Sequence, residues 1–305
     1  MQINTLSPNW VTGFSDGDSS FSVAVFKSSN HKTGWSIIPS FAIELKDRDL
    51  PLLLKIQTFF GIGRIHYIKN KGHVVYVVNS IKDIHSVIIP HFMKYPLLTQ
   101  KRVSFLLFKD IIELMKNKEH LTPKGLHLIM GIRASMNKGI SSELLKYFNN
   151  EKQVIPVSKP LVDVINTNHI SPDWLVGFTD AEGCFFINIR VNRNNNGYWV
   201  SAGFSIVQHS RDLLLFKTIK EFLGYGTLVE EKNKDVVRLK VDRFSIISEH
   251  IIPFFARYPL QSNKIKDYLD FCKACIIIRA KSHLTEKGLK ELRVIKSGMN
   301  TGRKY

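Results

Sequence analysis

The chain carries one stretch twice, and that duplication limits what it can fold into. Residues 7–21 read SPNWVTGFSDGDSSF, and residues 171–185 read SPDWLVGFTDAEGCF. The identical pairs are Ser7/Ser171, Pro8/Pro172, Trp10/Trp174, Gly13/Gly177, Phe14/Phe178, Asp16/Asp180 and Phe21/Phe185. Each copy sets small residues four apart, Gly13 and Gly17 or Gly177 and Ala181, ahead of an acid, Asp18 or Glu182. Residues four apart share one helix face, and small ones there let two backbones approach. The pattern predicts two helices packed back to back, each delivering a carboxylate to one shared place.

The duplication runs well beyond this stretch. FFGIG at 59–63 matches FLGYG at 222–226, and PHFMKYPL at 90–97 matches PFFARYPL at 253–260. Lys101 matches Lys264, HLTPKGL at 120–126 matches HLTEKGL at 283–289, and MNKG at 136–139 matches MNTG at 299–302. The offset is 164 up to Phe21/Phe185 and 163 from Phe41/Phe204 onward. A period this long means duplicated domains and not a solenoid of short repeats. The expected division is a first repeat over 1–140, a linker over 141–169 and a second repeat over 170–305.

Each repeat has the same expected elements. Ser7-Pro8 and Ser171-Pro172 suit an N-cap followed by Pro at the first helical position. After the acid, Phe21, Val23 and Val25 alternate with Ser20, Ser22 and Ala24, while Ile187, Ile189 and Val191 alternate with Asn188, Arg190 and Asn192. That is a strand with one apolar and one polar face. Turns at 28–34 and 193–197 lead into strands near 35–45 and 198–207. Helices over 49–60 and 212–223 stop at Gly, and two short strands follow (63–69 and 73–79; 226–232 and 236–242). Helical runs around 81–94, 100–117 and 122–135 close the first repeat, giving an α+β order αββαββα with helical additions. The linker is polar, carries Pro156 and Pro160, and its apolar piece from Leu161 to Ile165 is expected to pack on a domain surface.

With Lys and Arg at 43 against 26 Asp and Glu, the net charge is +17, which makes a nucleic acid or another polyanion the leading partner, against a basic protein whose charge only keeps it soluble. Cationic side chains gain affinity there by displacing condensed counterions. Cys184, Cys272 and Cys275 suggest no disulfide framework. The Cys272–Cys275 pair lies in an apolar helical run and reads as core packing, not as a zinc or redox site. No apolar run approaches the ~18 residues of a membrane-spanning helix. MQINTLSPNW is neither a signal peptide nor an Arg-rich transit peptide, so the protein acts where it is made or has been trimmed.

A carboxylate at a helix C-terminus stands at the unfavourable end of the macrodipole. Two such acids, Asp18 and Glu182, call for a compensating cation, and hard divalent ions with oxygen ligands, Mg²⁺ above all, suit them; the plain alternative is two solvated surface acids that end helices. Metals on that acid pair could activate a water and stabilise a leaving oxygen in phosphodiester cleavage. Asp16 and Asp180 face another way and are expected to cap or hydrogen-bond locally. Lys101 and Lys264 could orient water or stabilise phosphate charge, or could be phosphate-contacting or solvated lysines at a helix start. The polar strand faces offer Ser22, Ser36, Ser40, Asn188, Arg190, Asn192, Ser201, Ser205, Arg238 and Lys240 to base edges in a major groove. An ordinary solvated sheet face would show the same alternation.

WVTGFSDGD and WLVGFTDAEG closely resemble the LAGLIDADG motif, and the whole chain resembles a single-chain, two-motif LAGLIDADG homing endonuclease of the organellar group I intron type. The resemblance implies two αββαββα repeats related by a pseudo-two-fold axis, each with a four-stranded antiparallel sheet, with the motif helices between them. The sheets would form a saddle over an asymmetric double-stranded DNA target of about twenty base pairs. It also implies a monomer that makes a double-strand break with two or three Mg²⁺ ions at the motif helices, Mn²⁺ or Ca²⁺ substituting, and a mitochondrial location. The implied metal ligands are Asp18, Glu182 and the backbone carbonyls of Gly17 and Ala181. Lys101 and Lys264 would be the basic catalytic periphery and Gln208 a water-ordering residue.

The two copies differ where chemistry is expected. Asp18-Ser19 stands opposite Glu182-Gly183, and Leu45 opposite Gln208. A shorter acid would shift a metal and make the two strand cuts unequal. Two other readings fit the same fold: a maturase bound to its own intron RNA, and a DNA-binding derivative that does not cut.

Overall fold

The computed structural model of the protein describes residues 6–69, 71–136, 139–151, 153–162, 167–192 and 197–303, apart from the side chains of 150, 151 and 232. The first motif stretch forms helix α1 (Pro8–Asp18), which runs directly into strand β1 (Ser19–Lys27). Then come β2 (Trp35–Lys46), α2 (Leu50–Phe60), β3 (Arg64–Ile68) and β4 (His73–Val78). Two short helices, α3 (Ile81–Asp83) and α4 (Ile89–Lys94), are continuous through a π-turn at Ile84–Ile88. Helices α5 (Lys101–Lys116) and α6 (Pro123–Ser135) complete the repeat.

The second copy repeats this after α7 (Ser142–Glu151). It has α8 (Pro172–Glu182), β5 (Gly183–Asn192), β6 (Gly197–His209), α9 (Leu213–Leu223), β7 (Thr227–Glu231) and β8 (Val236–Val241). Helices α10 (Phe244–Ile246) and α11 (Ile252–Arg257) again flank a π-turn, and α12 (Lys264–Arg279) and α13 (Glu286–Ser297) follow. The expected αββαββα order therefore holds in both copies. By contacts the chain divides into two compact units, one built on Asp18–Val164 and the other on Asn9–Gly17 with Ile165–Tyr305.

Each sheet is antiparallel and four-stranded, in the orders β1-β2-β4-β3 and β5-β6-β8-β7. Residues directly opposite across such strands share a face, so the register decides what is buried. Phe21 opposes Phe41 and Val23 opposes Pro39 on the face toward the helices. In the second sheet Phe185 opposes Phe204 and Ile187 opposes Ala202. Around Phe21 the rings of Phe41, Phe92, Phe105 and Phe108 lie 5.2 to 5.6 Å away, and all five are fully buried. Phe185 has the same surroundings in Phe204, Phe255, Tyr268 and Phe271. The helices α2 and α9 end at Gly61 (φ 67°) and Gly224 (φ 81°), a left-handed conformation that favours glycine at a C-cap.

The linker differs from its expected form. It contains α7, whose Phe148 is buried against Trp35, and Val154 is buried as well. Leu161, expected to pack on a domain surface, is almost wholly exposed. Aromatic anchors from the helix supply the packing instead. Residues 163–166 and the turn residues 193–196 lie outside the described residues.

The cysteines serve packing. All three are free, Cys275 is buried, and burial raises the Cys272 and Cys275 thiols, the latter to about 12. Among the described residues no helix is long and apolar enough to cross a membrane.

Candidate active site

Helix α8 is built to press against residues 9–17 of α1. A Cβ added to Gly13 would overlap the carbonyl oxygen of Trp174, and one added to Gly177 would overlap that of Trp10. A Cβ on Gly17 would collide with the methyl of Ala181. The small residues thus set the helix spacing, as the sequence pattern requires.

Two reciprocal hydrogen bonds lock that crossing. Trp10 Nε1 donates to Asp180 Oδ2 at 2.9 Å, and Trp174 Nε1 donates to Asp16 Oδ2 at 2.8 Å. Asp16 and Asp180 are both buried. The expectation that they bond locally is corrected: each reaches a tryptophan more than 150 residues away. Asp180 also accepts from the amides of Gln261 (2.8 Å) and Ser262 (3.1 Å) and from Ser262 Oγ (2.5 Å). Burial pushes its carboxyl upward, while those donors and the nearby Lys264 charge oppose the shift.

Asp180 thereby fixes the start of α12. Ser262 Oγ in turn accepts from the Lys264 amide at 3.1 Å, and Lys264 is the first residue of the helix. Its side chain turns back to the end of α8. Nζ donates to the carbonyls of Thr179 (2.9 Å), Ala181 (3.2 Å) and Gly183 (2.5 Å). The last carbonyls of a helix carry its negative end, and an ammonium among them is the favourable arrangement. A solvated lysine does not describe this geometry. Lys101 holds the matching place at the start of α5, half-buried, with its amide donating to Thr99 Oγ1 at 3.2 Å.

The acids occupy the ends of their helices, Asp18 exposed and Glu182 half-buried. Gln208 Nε2 donates to Glu182 Oε1 at 3.3 Å, so the residue expected to order water touches the second acid directly. Around Glu182 the oxygen donors are its own carboxylate and the backbone carbonyls at the end of α8, hard ligands of the kind Mg²⁺ and Ca²⁺ take. Gln208 turns its Nε2 to Glu182, while its Oε1 accepts from the His209 amide at 2.9 Å. The Ala181 carbonyl accepts from Lys264 Nζ, so a metal ion there would share that oxygen with the ammonium through its second lone pair. Among the described residues no group of three or more His, Cys, Asp or Glu side chains gathers in a way that would hold a metal.

The polar sheet faces follow the expected register with one exception. Ser22 opposes Ser40 and Ser36 opposes Phe26 in the first sheet. Asn188 opposes Ser201, Arg190 opposes Trp199 and Asn192 opposes Gly197 in the second. Ser205, expected to face a groove, is buried, because it lies between Cys184 and Lys240 in the middle of the sheet. Arg238 pairs with Glu231 (3.3 Å) and Lys240 with Asp242 (2.6 Å). Sequence reasoning missed Arg64 and His66 of β3, which share the Ser22 face by register through Val77 and Val75. It missed the Glu44–His73 pair (2.8 Å) on that face too. The alternation in a five-residue edge strand is too short to single them out.

A duplicated sheet-and-helix repeat, each copy led by a helix that ends in an acid, defines a class. The LAGLIDADG endonuclease model matches residues 11–112 and 175–275, and the chain belongs to that family. It is 37% identical over 303 residues to "Probable intron-encoded endonuclease 2" of Neurospora crassa, covering 96% of this chain and 65% of that protein. The chain thus spans about two thirds of that relative's length. It also resembles I-SmaMI bound to cleaved DNA, at 38% identity and a TM-score of 0.93, with 98% of each chain covered. A second I-SmaMI structure, bound to uncleaved DNA target in the presence of calcium ions, matches with a TM-score of 0.92 and 38% identity, over 97% of this chain and 100% of that one.

The Asp180 network has a measurable consequence. In Asp180→Asn the amide NH₂ must face either Trp10 Nε1 and the Gln261 amide, or the Ser262 amide and a hydroxyl that has to turn to accept, so at least one donor is left unpaired. The expected loss is about 2–3 kcal/mol, the cost of buried donors left unpaired. Denaturant melts of Asp180→Asn against the parent chain measure it, and an unchanged midpoint would remove the network from the account.

Proposed function

We propose that the chain is a site-specific homing endonuclease that makes a double-strand break in a long, asymmetric DNA target by metal-dependent phosphodiester hydrolysis. The observation that carries this reading is the end of α8. There the Glu182 carboxylate, with Gln208 of β6 in contact at 3.3 Å, stands beside helix-end carbonyls that Lys264 holds. The family and the DNA-bound relatives support the same reading.

Asp18, Glu182 and the carbonyls of Gly17 and Ala181 would hold the metal, with Mg²⁺ the working ion and Mn²⁺ or Ca²⁺ as substitutes. A bound divalent ion would lower the pKa of a water and offset charge on the leaving oxygen. Gln208 orients Glu182 through its 3.3 Å hydrogen bond. Lys264 keeps the end of α8 electrostatically quiet, so that Glu182 does not face the bare helix terminus. Ser22, Ser36, Ser40, Asn188, Arg190, Asn192 and Ser201 would meet the DNA, joined by Arg64 and His66. Both repeats lie in one chain, so a monomer suffices, and the mitochondrion is the proposed place of action.

The test uses a randomised pool of long duplexes with the purified chain. Cutting is expected in Mg²⁺ and absent with EDTA, while Ca²⁺ supports binding of the same sequences. Binding should also weaken steeply with salt as counterions are released. Tight binding without cutting in any metal would favour a non-catalytic derivative. Metal-independent support of intron splicing, with no DNA cut, would favour a maturase.

A further inference from the structure

The two repeats differ in what covers the outer edge of their sheets. In the first, α7 lies over the β1 edge. Its Tyr147 and Phe148 stand 4.9 and 5.0 Å from the Trp35 ring, and Lys27 Nζ lies 4.9 Å from the Tyr147 ring centre. Trp35 and Phe148 are buried as a result. In the second repeat Tyr198 stands at the position of Trp35 and Val191 at that of Lys27. Among the described residues no counterpart of α7 packs on them, and α13 reaches them only through Arg293 over the Tyr198 ring. Tyr198 is exposed, and Val191 is 65% exposed.

A groove of about 680 Å³ runs there between β5 and α13. Its apolar wall is Ile187, Ile189, Val191 and Tyr198, and its other wall carries Arg293 and Lys296. The frame of the groove is fixed. Asn300 Nδ2 donates to the Phe185 carbonyl at 3.0 Å, and Arg303 holds Asp267 and Asp270 at 2.8 and 2.7 Å.

The charges also differ between the repeats. Arg133 of the first repeat is used internally, its Nε donating to the Val23 carbonyl at 2.9 Å and its Nη1 to the Gly139 carbonyl at 2.5 Å. Lys296 at the matching position is exposed and makes no ion pair among the described residues. Arg293 replaces Met130 and lies 4.6 Å from the Tyr198 ring, so its charge is presented beside the aromatic surface.

We propose that this groove docks an amphipathic helix of a partner protein that presents adjacent aromatic residues flanked by carboxylates. The first repeat shows what such an edge accepts: a helix that buries Phe148 against Trp35 and lays the exposed Tyr147 beside it, with Glu143 one turn earlier. Apolar anchors at helical spacing in a groove are a general mode of recognition, and aromatic anchors dominate its energy. Arg293 and Lys296 select for acids around them. A nucleic acid backbone would answer the two cations but would leave Ile189 and Val191 uncovered.

The probe is a labelled synthetic peptide of residues 140–157, added in trans to the full chain and followed by fluorescence anisotropy. Hydrogen-exchange mass spectrometry locates the contact. Saturable binding with protection of 186–198 and 290–302 is expected. The double variant R293E/K296E should bind at least about tenfold more weakly, with an unchanged melting temperature. A peptide carrying Glu143→Lys should lose affinity for the parent chain, which tests the charge pairing without altering the protein. Absence of binding, protection confined to the Trp35 strand, or equal affinity for R293E/K296E would each overturn the proposal. So would protection of the same groove by a short random-sequence duplex that displaces the peptide.

Discussion

Replacing Glu182 by Gln should reduce DNA cutting by at least about a thousandfold while leaving binding within a few fold. The substitution keeps shape and an oxygen that still accepts from Gln208 Nε2, so the local hydrogen bond at 3.3 Å survives. Only the negative charge is lost, and the charge is what a divalent ion would need at this helix end. Glu182 is half-buried and outside the aromatic cluster around Phe185, so the fold has little reason to change. The measurement is single-turnover cleavage of a selected target in Mg²⁺, with binding followed in Ca²⁺. Asp18→Asn gives the companion result. If each acid serves one strand, the variants should accumulate nicked duplex; if both strands need both acids, neither nick nor break should form. Cutting at the parent rate by Glu182→Gln would remove this site from the mechanism. The exposed, shorter Asp18 is expected to be the more tolerant of the two positions to exchange with its homologue, Asp18→Glu.

Much of this was legible in the sequence because the chain states it twice. One copy of an acid after small residues four apart is weak; two copies, offset by 164 residues and then by 163, define helices, strands and the acids together. What escaped was carried by atoms that a side-chain pattern does not show. The partners of Lys264 are backbone carbonyls of Thr179, Ala181 and Gly183, and nothing in residue identity announces them. Trp10 and Trp174 were visible as identical residues, yet their bonds to Asp180 and Asp16 depend on how the two helices cross. Helix α7 was hidden by the polar composition of the linker; Tyr147 and Phe148 acquire meaning only against Trp35. Ser205 failed for the opposite reason. Alternation assigned it correctly to the polar face, but a central position in the sheet buried it.

The largest loss of stability is expected at the helix crossing. Alanine is a better helix former than glycine by about 1 kcal/mol, so Gly13→Ala would stabilise an isolated helix. Here the added methyl would overlap the Trp174 carbonyl oxygen and come within 2.8 Å of its carbonyl carbon and 3.0 Å of the Phe178 amide nitrogen. These are backbone atoms of a packed helix and cannot step aside singly. The helices must separate, stretching the Trp10–Asp180 and Trp174–Asp16 bonds, and a loss above about 4 kcal/mol is expected in denaturant melts. Gly17 allows a finer test, because its obstacle is the Ala181 methyl. Gly17→Ala alone should be costly, and Ala181→Gly alone should cost about 1 kcal/mol through helix propensity. Together they move one methyl from α8 to α1, so the double variant should recover most of the stability, a coupling that a double-mutant cycle reads directly. Cleavage need not recover with it. The methyl placed on residue 17 would still lie 3.1 Å from Glu182 Cγ and 3.3 Å from its Oε1. A swapped protein with restored melting and slow cutting would separate the two tasks of this crossing, since helix spacing would be repaired while the Glu182 carboxylate stayed displaced.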